Sequence, residues 1–344
     1  MTADPIIEVP DTMRASVMTG LGSLQVEIRA VPVPTEHQVL VEVAAVGVCG
    51  SDVHYYRHGR IAHCVVTGPL ILGHELSGRI VGTGAKVDDT RIGQRVAVEP
   101  QRPCRRCTQC LTGHYNLCPR MEFYATPPVD GAFCRYVVIE ADMAHPIPDS
   151  LSDEAAALLE PLSVAIAAVR KARTTAGASV LIAGAGPIGI LCAQTARAFG
   201  ATRVVVSDPV VSRRECALRY GATEVIDPAA VDVATLEPQV EAFIDASGAS
   251  AAVVTGIRAV RPTGRVVLVG MGEDEMTLPV SYLQYSEIVL TGVERYANTW
   301  ATAIALAAGG LVDLDSLVTG RYDLDHVAEA FEALPGLKSI VVPR

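Results

Sequence analysis

The stretch from residue 180 to Asp208 restricts the fold more than any other part of this chain. Residues 180–183 are a short apolar run. Gly184-Ala-Gly186-Pro-Ile-Gly189 follows at once, then apolar residues at helical spacing through Ile190, Ala193 and Ala196 to Gly200. A second apolar run at 203–207 ends on Asp208. Strand, G-x-G-x-x-G, helix, strand and acid in that order form the dinucleotide-binding fingerprint in the context that gives it meaning. Gly184 permits the tight turn, Gly186 lets backbone approach a pyrophosphate, and Gly189 lets the helix pack on the strand. The helix start offers N–H groups and a positive dipole end to phosphates, and Pro187 suits its first turn. Ile188 and Arg213 complete the candidate cofactor-binding set. Asp208 would accept hydrogen bonds from the adenosine ribose hydroxyls and repel a 2′-phosphate, which favours NAD over NADP.

The alternation continues through strand-like runs at 223–226, 242–246, 265–269 and 288–291, with a helical pattern at 251–260. Six strands of this kind predict a full doubly wound α/β sheet. The earlier part of the chain reads differently. Apolar, β-branched runs at 15–18, 24–28, 39–46, 78–84 and 95–98 are separated by turn residues such as Gly20, Gly22, Pro32 and Pro34, which predicts a compact, largely antiparallel domain. A further strand is expected at 134–140, and a helix start at 153–159 with Ser152 as its cap. The tail carries helical pieces at 299–308 and 324–334 and an extended 339–342, and is expected to return to the first domain.

At 344 residues, half of them hydrophobic and 19% charged, the chain can build two large cores. A formal net charge of -10 argues against a nucleic-acid surface. No apolar run approaches the ~20 residues of a spanning helix. The first residues, with Asp4, Glu8 and Asp11 and no basic cluster, do not read as a signal peptide. Nine cysteines leave at least one thiol unpaired; they read as reduced metal ligands or core residues, not as a disulfide frame.

Two groups of residues carry metal chemistry. Cys49 stands beside Gly50, and His74-Glu75 lie between Gly73 and Gly78. A thiolate, an imidazole and a carboxylate are good ligands for one zinc ion with an open coordination position. Ser51, His54, Tyr55 and Tyr56 lie between them and can move protons or hold hydroxyl groups. Then Cys104, Cys107, Cys110 and Cys118 fall within one loop-like segment. Their spacing lets four thiolates reach one ion tetrahedrally, as a closed structural site, with Arg102, Arg105 and Arg106 expected to offset the charge. Phe123 and Thr126, in a Pro- and Gly-containing loop, are candidate pocket residues. Glu160 sits in an apolar setting, where a carboxylate is costly unless paired or bound to metal.

With these residues in place the chain resembles the medium-chain, zinc-dependent alcohol dehydrogenase superfamily over essentially its whole length. Gly73-His-Glu75-Leu-Ser-Gly78 with Gly84 and Val87 matches that superfamily's zinc signature. Within it the chain is similar to the sorbitol (L-iditol 2-) and xylitol dehydrogenase branch, through CGSDVHYY at 49–56, GRI at 59–61, ATPP at 125–128, LEPLSV at 159–164 and ERYANTW at 294–300. The resemblance implies a GroES-like, mainly antiparallel catalytic domain at 1–162 and 296–344, with its structural zinc loop at 104–118. It also implies a doubly wound Rossmann domain at 163–295. It implies oxidation of a secondary alcohol of a polyol to a ketose, with NAD+ and with catalytic and structural zinc. In that branch the Glu after the motif His replaces a cysteine ligand. The implied catalytic set is therefore Cys49, His74 and Glu75, with Glu160 as a direct or water-linked partner. Ser51 and His54 would carry the proton outward, and Tyr55, Phe123, Thr126, Arg295 and Tyr296 would hold the remaining hydroxyls. A cytoplasmic homotetramer is the expected assembly. Ala62-His63-Cys64 departs from the glycine expected after Ile61, which bears on substrate preference. LEPLSV and ERYANTW count against a butanediol or threonine dehydrogenase. The intact Cys49, His74 and Glu75 set counts against a non-catalytic NAD-binding protein.

Overall fold

The computed structural model describes residues 9–332 and 336–344. Residues 1–8 and the end of the expected helix at 324–334 lie outside them. Two compact units divide the chain: the first runs to Glu160 and includes Leu314–Arg344, and the second is Pro161–Asp313. The 296–313 stretch, expected from sequence in the first unit, packs in the second. Its Tyr296 meets Trp300 edge-on with ring centroids 6.2 Å apart.

The first unit is built on a sheet whose path runs Ala144–Pro146, Arg95–Val98, Glu75–Thr83, Gln38–Gly47, Lys338–Val341, Val318–Tyr322. Tyr136–Glu140 also pairs with Gln38–Gly47. Most pairings are antiparallel; the exception joins Val318–Tyr322 to Lys338–Val341 in parallel. Val39, Val41, Val46, Leu76, Ile80, Val96 and Val98 are inaccessible to solvent or nearly so. Each large side chain of this kind contributes about 1.5–3 kcal/mol of transfer free energy. Two registers matter most: Gly47 lies opposite Glu75, and Ile340 lies opposite Gly47. They bring three remote parts of the chain to one end of the sheet.

The second unit holds six parallel strands in the spatial order Glu224–Ile226, Arg203–Ser207, Ser179–Ala183, Val240–Asp245, Val260–Leu268, Val289–Gly292. Numbered along the chain this is 3-2-1-4-5-6, the doubly wound order, with its switch point between the first and fourth strands. Val180, Leu181 and Ile182 are fully buried, as a strand covered by helices on both faces requires. No helix among the described residues is long and apolar enough to cross a membrane.

Candidate active site

Cys49 follows the strand Gln38–Gly47 and caps the helix Gly50–His58. His74 and Glu75 stand at the start of the neighbouring strand. The Gly47–Glu75 register therefore carries a thiol, an imidazole and a carboxylate into one place, where their ligand atoms all lie within 4.8 Å of one another. His74 and Glu75 are buried and Leu72 and Leu76 are fully enclosed beside them. A thiol, an imidazole and a carboxylate converging within 4.8 Å form a donor set that suits a divalent cation, and zinc accepts all three ligand types.

Asp52, which has no metal-ligand signature in the sequence, supports the cluster. It is fully buried. Its carboxylate accepts from the Cys49 N–H at 3.0 Å and the Gly73 N–H at 2.9 Å, and one oxygen lies 3.5 Å from His74 Nδ1. With Nδ1 turned to Asp52, Nε2 is the nitrogen left for a metal, the usual carboxylate–histidine arrangement. Burial opposes a charged His74 ring, but the charges of Asp52 and Cys49 outweigh it and hold the imidazole well above its ordinary pKa. The spacing Cys-x-x-Asp, which has the form of a helix capping pair, was the available signal.

Lys338 is the second residue without a local signature. It is buried, and its ammonium donates to both oxygens of Glu75 and to the Val48 carbonyl at 2.9 Å. Burial disfavours this charge, but Glu75, Cys49 and Glu160 together raise its pKa. Glu160 is thus near Lys338, buried in the first turn of the helix Leu159–Lys171, but it does not join the three-residue ligand cluster. Phe123 is buried with its ring 5.4 Å from that of His74. On the helix after Cys49, Ser51 is half-buried, His54 exposed and Tyr55 buried. Thr126 is half-buried in its loop. Arg295 and Tyr296 belong to the second unit; Arg295 has a left-handed backbone at φ 50° and Tyr296 is buried.

Cys104, Cys107, Cys110 and Cys118 form the other cluster, again with sulfur atoms within 4.8 Å of one another. Arg120 donates to Cys104 Sγ at 3.1 Å. Of the arginines expected to balance the thiolates, Arg105 instead pairs with Asp142 and Arg102 stacks on Tyr124. The Arg106 backbone N–H and the Arg120 side chain push the Cys104 thiol down to about 5. The loop is tied to the sheet by buried Glu99, which accepts from Tyr115 and faces His145, each at 2.9 Å.

In the second unit a cleft of about 490 Å³ opens at the switch point, lined by Gly184, Gly186, Ser207, Asp208, Arg213 and Ser247 among others. Gly184 has φ +93°, and a Cβ on Gly189 would stand 1.8 Å from the Gly184 carbonyl oxygen. A Cβ on Gly186 would meet nothing within 4 Å, so backbone here is open to a ligand. Pro187 and Ile188 begin the helix Pro187–Ala198. Asp208 accepts from the Ala185 N–H at 2.9 Å and the Val210 N–H at 2.8 Å, and Arg213 lies 3.9 Å from it. A carboxylate has about four acceptor sites, so two remain for ribose hydroxyls.

Residues 35–149 match the alcohol dehydrogenase GroES-like domain and residues 187–309 the zinc-binding dehydrogenase family. These two matches define the class: a dehydrogenase pairing a GroES-like unit with a dinucleotide-binding one. The chain is 41% identical to sorbitol dehydrogenase of Bacillus subtilis (strain 168) over 331 residues, 94% of each protein. It is 39% identical to D-xylulose reductase A of Aspergillus oryzae (strain ATCC 42149 / RIB 40) over 340 residues, covering 94% of this chain and 95% of that one. Among solved structures, L-idonate 5-dehydrogenase from Escherichia coli str. K-12 substr. MG1655 superposes with a TM-score of 0.91 at 28% identity, over 96% of this chain and 98% of the other. The chain belongs to the medium-chain, zinc-dependent alcohol dehydrogenase superfamily, in its sorbitol and xylitol dehydrogenase branch.

Proposed function

We propose that this protein oxidises a secondary hydroxyl of a polyol to the ketose with NAD+, and that Cys49, His74 and Glu75 hold the catalytic zinc. The carrying observation is the cluster of those three donors, His74 and Glu75 buried and Cys49 half-buried, in a chain 41% identical to a sorbitol dehydrogenase. When bound, zinc supplies Lewis acidity that lowers the pKa of an alcohol, and nicotinamide supplies the hydride acceptor. Asp52 holds the backbone at Cys49 and Gly73 on either side of the donors and places a negative charge 3.5 Å from His74 Nδ1. Ser51 and His54 lie three residues apart, neighbours on one helix face, and run from half-buried to exposed. That supports them as a path for the alcohol proton to solvent. Glu160, buried near Lys338, is suited to hold a proton-carrying water. Tyr55 and Thr126 are proposed to receive remaining polyol hydroxyls, since a buried hydroxyl without a partner costs about 1–3 kcal/mol, and Phe123, beside the His74 ring, to supply an apolar wall. Cys104, Cys107, Cys110 and Cys118 are proposed to hold a second, structural zinc. Gly184, Gly186, Pro187, Ile188, Gly189, Asp208 and Arg213 are proposed to take NAD.

Two further readings have support of their own. None of the nine cysteines forms a disulfide, and four must stay reduced to ligate metal, which favours a reducing compartment such as the cytoplasm. Val289–Gly292 is an edge strand of the six-stranded sheet, with Val289, Tyr285 and Val280 exposed by 45%, 87% and 66%. An apolar, open edge invites a second copy of the chain and supports self-association through that edge, one of the contacts a homotetramer would need.

The test is NADH formation by the purified protein on sorbitol, xylitol, 2,3-butanediol and threonine. Turnover on a polyol well above the other two, abolished in Cys49→Ser, is expected. Preference for butanediol or threonine, or no turnover with both zinc sites filled, would overturn the reading.

A further inference from the structure

Lys338 has no obvious reason to be where it is. Its side chain is 4% exposed and that of Glu75 1%. An ammonium has three donors, and here all three are used: two on Glu75 and one on the Val48 carbonyl. The lysine is delivered by main-chain pairing of its own strand, through Val341 opposite Val46 and the Val48 N–H to Ser339 carbonyl bond at 2.9 Å. On the other side of the carboxylate is Gly47, where a Cβ would stand 2.1 Å from Glu75 Oε2. Glu75 is therefore clamped between a residue that leaves it room and a cation. A leucine or methionine would fill the same space without burying a charge, which is costly in such a setting. The charge is thus better explained by the neighbouring donors than by packing.

We propose that Lys338 is a positioning residue for the metal held by Cys49, His74 and Glu75: it shares the Glu75 carboxylate with the metal and keeps that metal bound less tightly than the three donors alone would hold it. The inference rests on the reading of those residues as a metal site. Each oxygen of a carboxylate has a second lone pair, so Glu75 can serve lysine and metal together or pass between them. Either way the lysine draws electron density from a ligand oxygen, and its positive charge repels the incoming cation. A purely structural pin behaves oppositely, because its loss loosens Glu75 and weakens the site.

The sign of the affinity change separates the two. Zn2+ affinity is measured by competition with a fluorescent chelator on the full chain, with Cys49→Ser used to identify which of the two ions is being read. Lys338→Met should bind that ion more tightly, by about 10–100-fold, the size of effect that losing a ligand-orienting group has but of opposite sign. Lys338→Arg, which keeps the charge, should stay near wild type. Lys338→Gln keeps a donor for Glu75 without the charge and should shift in the same direction, which covers a failure of the Met variant to fold. Unchanged or weaker binding in a variant with wild-type circular dichroism overturns the proposal, as does failure of both neutral variants to fold. If Cys49→Ser still carries two ions per chain, the metal-site reading itself is wrong. If it loses one and Lys338→Met does not tighten binding, only the role of Lys338 falls.

Discussion

At the scale of single residues, chemistry was legible where a residue type had few other uses. Four cysteines within 15 positions, from Cys104 to Cys118, and a His74-Glu75 pair between glycines announce metal donors. Asp52 and Lys338 did not announce themselves. An acid in the first turn of a helix has an ordinary reason to be there, and Lys338 meets Glu75 across 263 positions, beyond any local pattern. Asp52 gives the first prediction. Asp52→Asn keeps the shape but removes the charge facing His74 and one acceptor of the two backbone bonds. Zinc affinity of the Cys49 site should fall about 10–100-fold, a loss typical of groups that orient ligands, as read by chelator competition. An affinity within threefold of wild type would leave Asp52 with a packing role only. Asp208 gives the second. It is buried and keeps acceptor sites facing the cleft, so Asp208→Ala should narrow the preference for NAD over NADP in kcat/KM. A preference that survives unchanged would move discrimination elsewhere in the cleft. A third concerns thiols. Burial pushes Cys134 and Cys192 up to about 12, so in native protein neither should react with iodoacetamide at pH 8, since the thiolate is the nucleophile. Mass spectrometry of peptides after labelling reports this directly.

At the scale of elements, strands buried on both faces read clearly because their composition leaves little alternative. Ser179–Ala183 and Arg203–Ser207 were predicted to within a residue. The helix Gly50–His58 was not foreseen. Only Asp52 and Tyr55 are buried on it, so it has no apolar stripe for periodicity to detect. It is held instead by its ends, with Asp52 at the first turn and Gly59 at φ 70° closing the last. The cysteine loop is the extreme case. It has only short helical pieces, Thr108–Leu111 and Tyr115–Leu117, and its four sulfurs lie together without a disulfide. An element with so little apolar core would depend on the proposed metal to stay folded. Cys107→Ser should lose one zinc per chain and lower Tm. A loss of even ~2 kcal/mol corresponds to roughly 4–8 °C for units of this size. Two ions per chain and an unchanged Tm by calorimetry would remove the structural role.

At the scale of the whole molecule, the two-unit plan was legible from the change of rhythm between hairpin-like runs and the β-α alternation that begins near Ala178. The point where the chain leaves the second unit was not. From the sequence it is expected near residue 296, whereas the unit runs to Asp313, because the apolar helix Trp300–Ala308 would suit either core. Assembly is decided at the same scale. The net charge of -10 opposes casual association, so a stable oligomer needs a specific apolar contact. Among the described residues, the edge strand Val289–Gly292 with exposed Tyr285 and Val280 offers one. A second copy laid against it in antiparallel register would satisfy open backbone groups and cover Val289 in one step. Val289→Lys places a charge on that edge in each copy. The substitution is at a 45% exposed position, so the fold of the unit and its cofactor affinity should hold. The mass by light scattering after size exclusion should drop by at least half. If Val289→Lys keeps the wild-type mass and dissociates no more readily on dilution, the sheet edge is not the contact, and the proposal of assembly through it fails.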